Sequence, residues 1–287
     1  MKNYKKLVLV VVLLLVVTTL SGCNTAHYEM GIGEGGGFTW VQWIVARVAD
    51  LIYVVSMLAG GYYAVGLIII TLLIRILGWP IYSKSTALST NMQIAQPELE
   101  KLKQKYQGKT DPASQRAQQQ EMMQIYKEYG INPLGCLLPL LQMPIFIAMY
   151  QTVRRIPLTP RFTENLNFNF LWFSFTDEPV TPWYSLQNTT FIVLAFIVGA
   201  TMFGYQKYAM TKPEALQNRK YRTAQQEQSE KTMKYMMYFM TFMLVFIAFT
   251  SLGIAFYWII GNLFQFVQTY VNRKQTIQRL EAKKSKI

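Results

Sequence analysis

Tyr62-Tyr63-Ala64-Val65-Gly66-Leu67-Ile68-Ile69-Ile70-Thr71-Leu72-Leu73-Ile74-Arg75-Ile76-Leu77-Gly78-Trp79-Pro80-Ile81-Tyr82 is an apolar run with one arginine inside it. Some 20 apolar residues in helical conformation cross the hydrocarbon of a bilayer. A charge at that depth costs roughly 3 kcal/mol on insertion scales. Read as one helix ending at Tyr82, the run leaves Arg75 roughly 10 Å from its inner end, at ~1.5 Å per residue. An arginine side chain reaches about 6 Å, so snorkelling alone falls short. The apolar spans named below contain no Asp or Glu to pair with it. Water in a cavity, backbone carbonyls, or an acid from another chain must then receive the guanidinium. A hydrated cavity is the favoured expectation.

Working outward, the composition agrees with a membrane protein. Of 287 residues, 52% are hydrophobic and 15% charged, against about 25% charged in soluble domains. The net charge of +13 would suggest nucleic acid in a soluble chain. Here it fits basic cytoplasmic loops better, and no specific nucleic-acid binding is expected.

The N-terminus reads as an export signal over residues 1–22. Lys2, Lys5 and Lys6 precede the apolar run Leu7 to Val17, and Leu20-Ser21-Gly22-Cys23 closes it. That ending resembles a bacterial lipobox, which implies diacylglyceryl attachment at Cys23. The alternative is an uncleaved first membrane helix. Cys136 is the other cysteine, so no disulfide framework or metal cluster is expected. His27, the one histidine, reads as part of a solvated tether.

Residues 23–60 form a Gly-rich tether followed by Trp40 to Ser56, whose apolar spacing suits an amphipathic helix on the outer surface. The alternative is an extension of the first membrane helix. The first span is 61–82. Residues 83–132 form a cytoplasmic two-helix hairpin, with Asp111 as a helix cap, Pro112 at the first helical position and Gly130 as the stop. The second span is 133–153, an aromatic and proline-rich external loop covers 154–187, and the third span is 188–208. A polar loop, 209–231, leads to a tight hairpin of spans 232–250 and 252–271. A basic tail, 272–287, closes the chain. The fold class expected is an all-α membrane protein with five transmembrane helices.

Charge sets the orientation. Loop 83–132 carries seven Lys/Arg, residues 207–234 seven and the tail six, while the opposite side holds Arg47, Arg154, Arg155 and Arg161. The positive-inside rule places the hairpin, second loop and tail in the cytoplasm. The N-terminus and Cys23 then lie outside, as lipidation requires.

Trp258, Asn262, Gln265 and Thr269 step by four, three and four along the last span and share one helix face. In lipid such a stripe faces the bundle interior or water; simple interhelical hydrogen bonding is the alternative. Gln142, Gln151 and Gln206 lie in other spans and are candidates for the same polar lining. Met233, Met236, Met240 and Met243 also fall at helical steps, and ordinary core packing is the favoured reading over an adaptable apolar surface. No nucleotide loop, metal spacing or nucleophile set is present, so neither an enzyme nor a cofactor is expected.

Together these residues resemble the YidC/Oxa family of membrane protein insertases, in particular its lipoprotein-type members from Gram-positive bacteria. Three stretches carry the resemblance: Thr71-Leu72-Leu73-Ile74-Arg75, Asn132-Pro133-Leu134-Gly135-Cys136-Leu137-Leu138-Pro139 running on to Phe146, and Gly253 to Trp258 with Asn262-Leu263-Phe264-Gln265. The hairpin with Gln96-Pro97-Glu98-Leu99 agrees in place and size. The resemblance implies a hydrophilic groove open to the cytoplasm and closed outward, with Arg75 as its arginine. By the same resemblance Trp258 and Gln206 should line it, and the spacing reading adds Gln142, Asn262 and Gln265 to that lining. It also implies nascent membrane proteins as clients, action alone or with the Sec translocon in the bacterial cell membrane, and ribosome contact through the basic tail. A small-solute channel would want access from both sides and internal inverted repeats, which the sequence does not display. A scaffold with the hairpin as docking module is the other rival.

Overall fold

The computed structural model describes residues 30–33, 39–132, 138–211 and 224–284. Cys23, His27, Pro133 and Cys136 lie outside the described residues, as does the side chain of Gln142. The regular elements of the described chain are helices apart from one short two-stranded hairpin. In order come α1 (Thr39–Leu58), α2 (Tyr63–Leu77), α3 (Trp79–Lys105), α4 (Pro112–Glu128) and α5 (Leu138–Arg155). There follow the single turn α6 (Pro160–Thr163), β1 (Asn169–Phe170), β2 (Phe173–Ser174), α7 (Thr189–Met210), α8 (Ala224–Ala248) and α9 (Leu252–Lys284).

By length and composition, three stretches among the described residues are apolar enough to cross a membrane. They are Trp40–Leu58, Leu186–Met210, and α2 with α3 taken as one broken span. The apolar run at the centre of the fold is therefore interrupted. Gly78 separates two helices, and Pro80, which lacks an amide hydrogen, sits in the first turn of the second. The expected uninterrupted helix to Tyr82 is corrected to one that ends at Leu77.

Two compact units partition the chain. The first comprises the described residues up to Ile76, Pro139–Thr201 and Met243–Asn262. Here α1 buries Val41, Val45, Ala49, Ile52 and Ser56, a stripe at helical steps, while Trp43, Leu51 and Val54 on other faces are exposed. Gly60 and Gly61, with φ of 81° and 84°, reverse the chain in a left-handed conformation that glycine adopts freely. Helix α2 then packs closely on α1. A Cβ added at Gly66 would lie 2.7 Å from the Ile52 carbonyl oxygen and would strike the Ser56 hydroxyl.

The loop after α5 in this unit is built on aromatic rings. Tyr63 stacks on Phe168 at 4.7 Å and meets Phe175 edge-on at 5.1 Å; Phe175 meets Phe256 of α9 at 5.4 Å. Such rings each bury a large apolar area. Backbone bonds from Tyr63 to Asn167 and from Asn167 to Gly61 tie this loop to the start of α2. Asn188, fully buried, organises the chain before α7, its amide donating to the carbonyls of Val180, Pro182 and Trp183. The two arginines that ran against the charge bias have separate explanations. Arg154 reaches the Thr250 hydroxyl at 3.4 Å. Arg155 is completely buried and donates to the carbonyls of Met30 and Gly31 at 2.9 and 2.6 Å and to Gln42 Oε1 at 2.7 Å.

The second unit holds Leu77–Leu138, Met202–Phe242 and Leu263–Ile287. Helices α3 and α4 pack as a hairpin around a small core of Ala95, Tyr129 and Ile131. Asp111 caps α4, accepting from the Ser114 amide at 2.8 Å, and Pro112 opens the helix. That amide bond holds the Asp111 carboxyl below the usual carboxylate range. Glu121 accepts from Lys105 at 2.6 Å and from the Tyr106 hydroxyl at 2.8 Å, and the lysine bond foremost lowers its carboxyl too.

Elsewhere in this unit, Arg273 is buried and donates to the terminal carbonyls of the α7 segment, those of Tyr208, Ala209 and Thr211. Gln93 also donates to the Ala209 carbonyl, and Trp79 Nε1 donates to Asn272 Oδ1 at 3.1 Å. The expected tail is therefore no separate segment at its start: α9 runs on to Lys284 and Arg273 is a helix-capping group. The methionine reading is corrected as well. Met233, Met236, Met240 and Met243 are all exposed, and so are Tyr235, Phe239 and Phe242 beside them. Among the described residues no packed core covers this stretch of α8. In a bilayer the surrounding solvent is itself apolar, so helical spacing alone does not say that such a stripe is buried.

Candidate functional site

The site grows from the end of α2. Its apolar residues bury one face, with Tyr63, Leu67 and Ile70 essentially inaccessible and Thr71 beside them. Arg75 follows Thr71 by one turn on the same face. Because the helix stops at Leu77, Arg75 occupies its last turn. Unsatisfied carbonyls and the negative end of the helix dipole collect there, and both favour a cation. The break at Gly78 thus removes much of the 10 Å objection raised from the continuous run. Arg75 is only partly buried.

Its neighbour across the first unit is α9. Gly261 is buried, and a Cβ there would stand 2.8 Å from Arg75 Nη2 and 3.6 Å from both Cζ and Nε. The guanidinium lies directly against the bare backbone of α9. Asn262 is the next residue; its amide donates to the Thr201 hydroxyl of α7 at 3.3 Å. Thr201 in turn donates to its own helix, to Ile197 O at 2.8 Å. Trp258, one turn before Gly261 and Asn262, stacks nearly parallel on Phe146 of α5, with ring centroids 6.1 Å apart and planes at 11°.

The predicted residues separate accordingly. Arg75 and Asn262 come together near Gly261. Trp258 shares their unit and is buried, at 7% exposure. Its indole is large and mostly apolar, which suits the stacking on Phe146. Gln151 is also buried and accepts from Gln42 of α1 at 3.4 Å. Gln206 and Gln265 belong to the second unit. Gln206 accepts from the Thr241 hydroxyl at 2.9 Å, joining α7 to α8; Thr269 in the same unit is buried. Interhelical hydrogen bonding therefore accounts for the contacts of Asn262 and Gln206. Sequence reasoning did not single out Gly261, Thr201 or Phe146. Only Gly261 left a trace, as a glycine inside an apolar helical run. Among the described residues no three His, Cys, Asp or Glu side chains meet as metal ligands would.

A helix-end arginine set against a bare stretch of a neighbouring helix can attract and hold an anionic group. Residues 54–279 match the family model described as the 60Kd inner membrane protein. The chain belongs to this family. It is 31% identical over 261 residues to the membrane protein insertase MisCA of Bacillus subtilis, covering 91% of this chain and 88% of that protein. It is equally 31% identical over 279 residues to the membrane protein insertase YidC 2 of Bacillus anthracis, covering 97% of each. A shorter match, 38% identical over 180 residues, is to the membrane protein insertase YidC of Enterococcus faecalis, covering 62% of this chain and 60% of that protein. The resemblance read from the three motifs and the family match agree, and they place the chain in the bacterial cell membrane.

Proposed function

We infer that this protein is a membrane protein insertase, as its relatives are named, and that Arg75 is the charge its clients meet. The observation that carries the reading is Arg75 at the broken end of an apolar helix, partly accessible and set against Gly261. In this reading a water-filled groove opens from the cytoplasm and ends partway across the bilayer. Arg75, Trp258 and Asn262 are its lining in the first unit.

A client's short N-terminal segment carries acidic or polar groups that hydrocarbon rejects. The guanidinium draws such a segment into the groove, and water there lowers the penalty of transit. An apolar client helix of about 20 residues then leaves for lipid, because it prefers hydrocarbon. The membrane potential assists outward movement of negative charge by about 2.3 kcal/mol per charge per 100 mV. No covalent step is required.

The finer proposals follow the same logic. The α3–α4 hairpin receives clients in the cytoplasm. Exposed Lys274 and Arg279 on the far end of α9 offer the ribosome its basic contact. Lipid at Cys23 anchors the N-terminus outside, and the Sec translocon is a working partner. Five spans with the N-terminus outside remain the proposed topology.

A photocrosslinking residue at Arg75 or Asn262 tests the reading against a channel or a scaffold. Stalled nascent membrane proteins should crosslink at both positions, while a crosslinker at exposed Trp43 of α1 stays silent. Crosslinking at Trp43 and none at Arg75 would contradict it.

A further inference from the structure

We propose that Gly261 is a positioning residue: its missing side chain sets where the Arg75 guanidinium stands and hence how strongly the protein attracts acidic client segments. The inference rests on the insertase reading above and adds a second residue to it. A Cβ at Gly261 would approach Arg75 Nη2 to 2.8 Å, with Cζ and Nε both at 3.6 Å. These three nearest atoms all belong to one guanidinium.

The contrast with two other glycines gives this its meaning. At Gly66 an added Cβ meets the Ile52 carbonyl at 2.7 Å. That is backbone and cannot yield without moving a helix. At Gly204 an added Cβ meets nothing within 4 Å. Gly261 lies between these cases. The obstructing atoms end a long, flexible side chain, so a methyl there displaces the charge and leaves the helices in place. Alanine is also the better helix former, by about 1 kcal/mol. A glycine inside α9 thus forgoes helix propensity, and the slot for the guanidinium is the local feature that uses it.

Lysine supplies the internal control. Its ammonium is compact and lacks the outer nitrogen that a methyl would meet. With Arg75→Lys in place, Gly261→Ala should have nothing to displace.

The experiment is insertion into vesicles of two clients that differ only in an acidic or a neutral N-terminal tail. Full-length protein is compared as wild type, Arg75→Ala, Gly261→Ala, Arg75→Lys and Gly261→Ala/Arg75→Lys. Gly204→Ala serves as a glycine control, and the membrane-integrated amount of each is measured. Gly261→Ala should lower insertion of the acidic-tailed client about threefold, the scale expected when a partly screened charge is displaced. The neutral-tailed client, the integrated amount and Gly204→Ala should be unchanged, and the Arg75→Lys background should abolish the effect. Loss of both clients alike, loss that persists with Arg75→Lys, or no loss beside a clear Arg75→Ala defect would each overturn the role of Gly261. Failure of Arg75→Ala itself to discriminate between the clients would instead overturn the insertase groove on which the inference rests.

Discussion

Two arginines in the same unit are held in opposite ways. Arg155 is wholly enclosed at the end of α5, and its guanidinium is spent on the Met30 and Gly31 carbonyls and on Gln42. Arg75 sits at the end of α2, partly accessible and pressed against a glycine. The first region uses a cation as a rivet, joining the segment before α1 to the body of the unit. In the second the cation is partly accessible, and in the proposed reading it is the charge that an acidic client segment meets. A charge in an apolar protein is thus not evidence of function by itself; what surrounds it decides.

The sharpest way to break this comparison is to delete each charge. Arg155→Ala takes the donor from the buried Gly31 carbonyl and from the part-buried Met30 carbonyl and Gln42 Oε1, and should destabilise the fold on the order of 3 kcal/mol. Thermal unfolding in detergent should show a clear drop in the midpoint, with protease reaching the Met30 segment. Arg75→Ala should leave that midpoint unchanged within error. Equal destabilisation by both would erase the distinction.

A smaller effect separates the two units. The first is held by apolar and aromatic packing, whereas the hairpin of the second leans on carboxylates. Asp111 and Glu121 both titrate below the ordinary carboxylate range in the folded chain. A lowered folded value means that their stabilisation is present above the unfolded value and is lost as pH falls through the folded one. Amide exchange in segment 98–128 should therefore quicken, relative to the base rate, below about pH 4. Exchange around Tyr63 and Phe168 should hold constant. The asymmetry should vanish in Asp111→Asn/Glu121→Gln.

Much of this was legible in the sequence because it is local. Asp111-Pro112 specifies a helix start by chemistry within four residues, and Gly130 specifies a stop. The apolar runs define helices, and the motifs define the family. What escaped is long-range or concerns partners. Gly78 and Pro80 stood in the opening stretch, but apolar continuity outweighed them in the reading, and so Arg75 was placed too far from a helix end. Nothing near Arg155 says that its acceptors lie more than a hundred residues away at Met30 and Gly31. The methionines of α8 share a face by period, yet period cannot tell a face toward protein from one toward lipid. Gly261 has meaning only once α2 is laid beside α9.

The most direct test of the account is the charge dependence of client insertion. Matched clients with acidic and neutral N-terminal tails are presented to vesicles holding wild-type protein, Arg75→Ala or Arg75→Lys. Arg75→Ala should lose the acidic-tailed client about tenfold, a factor worth about 1.4 kcal/mol, and should spare the neutral one. Arg75→Lys should insert both. Arg75→Ala inserting both clients as well as wild type does would contradict the account at its centre.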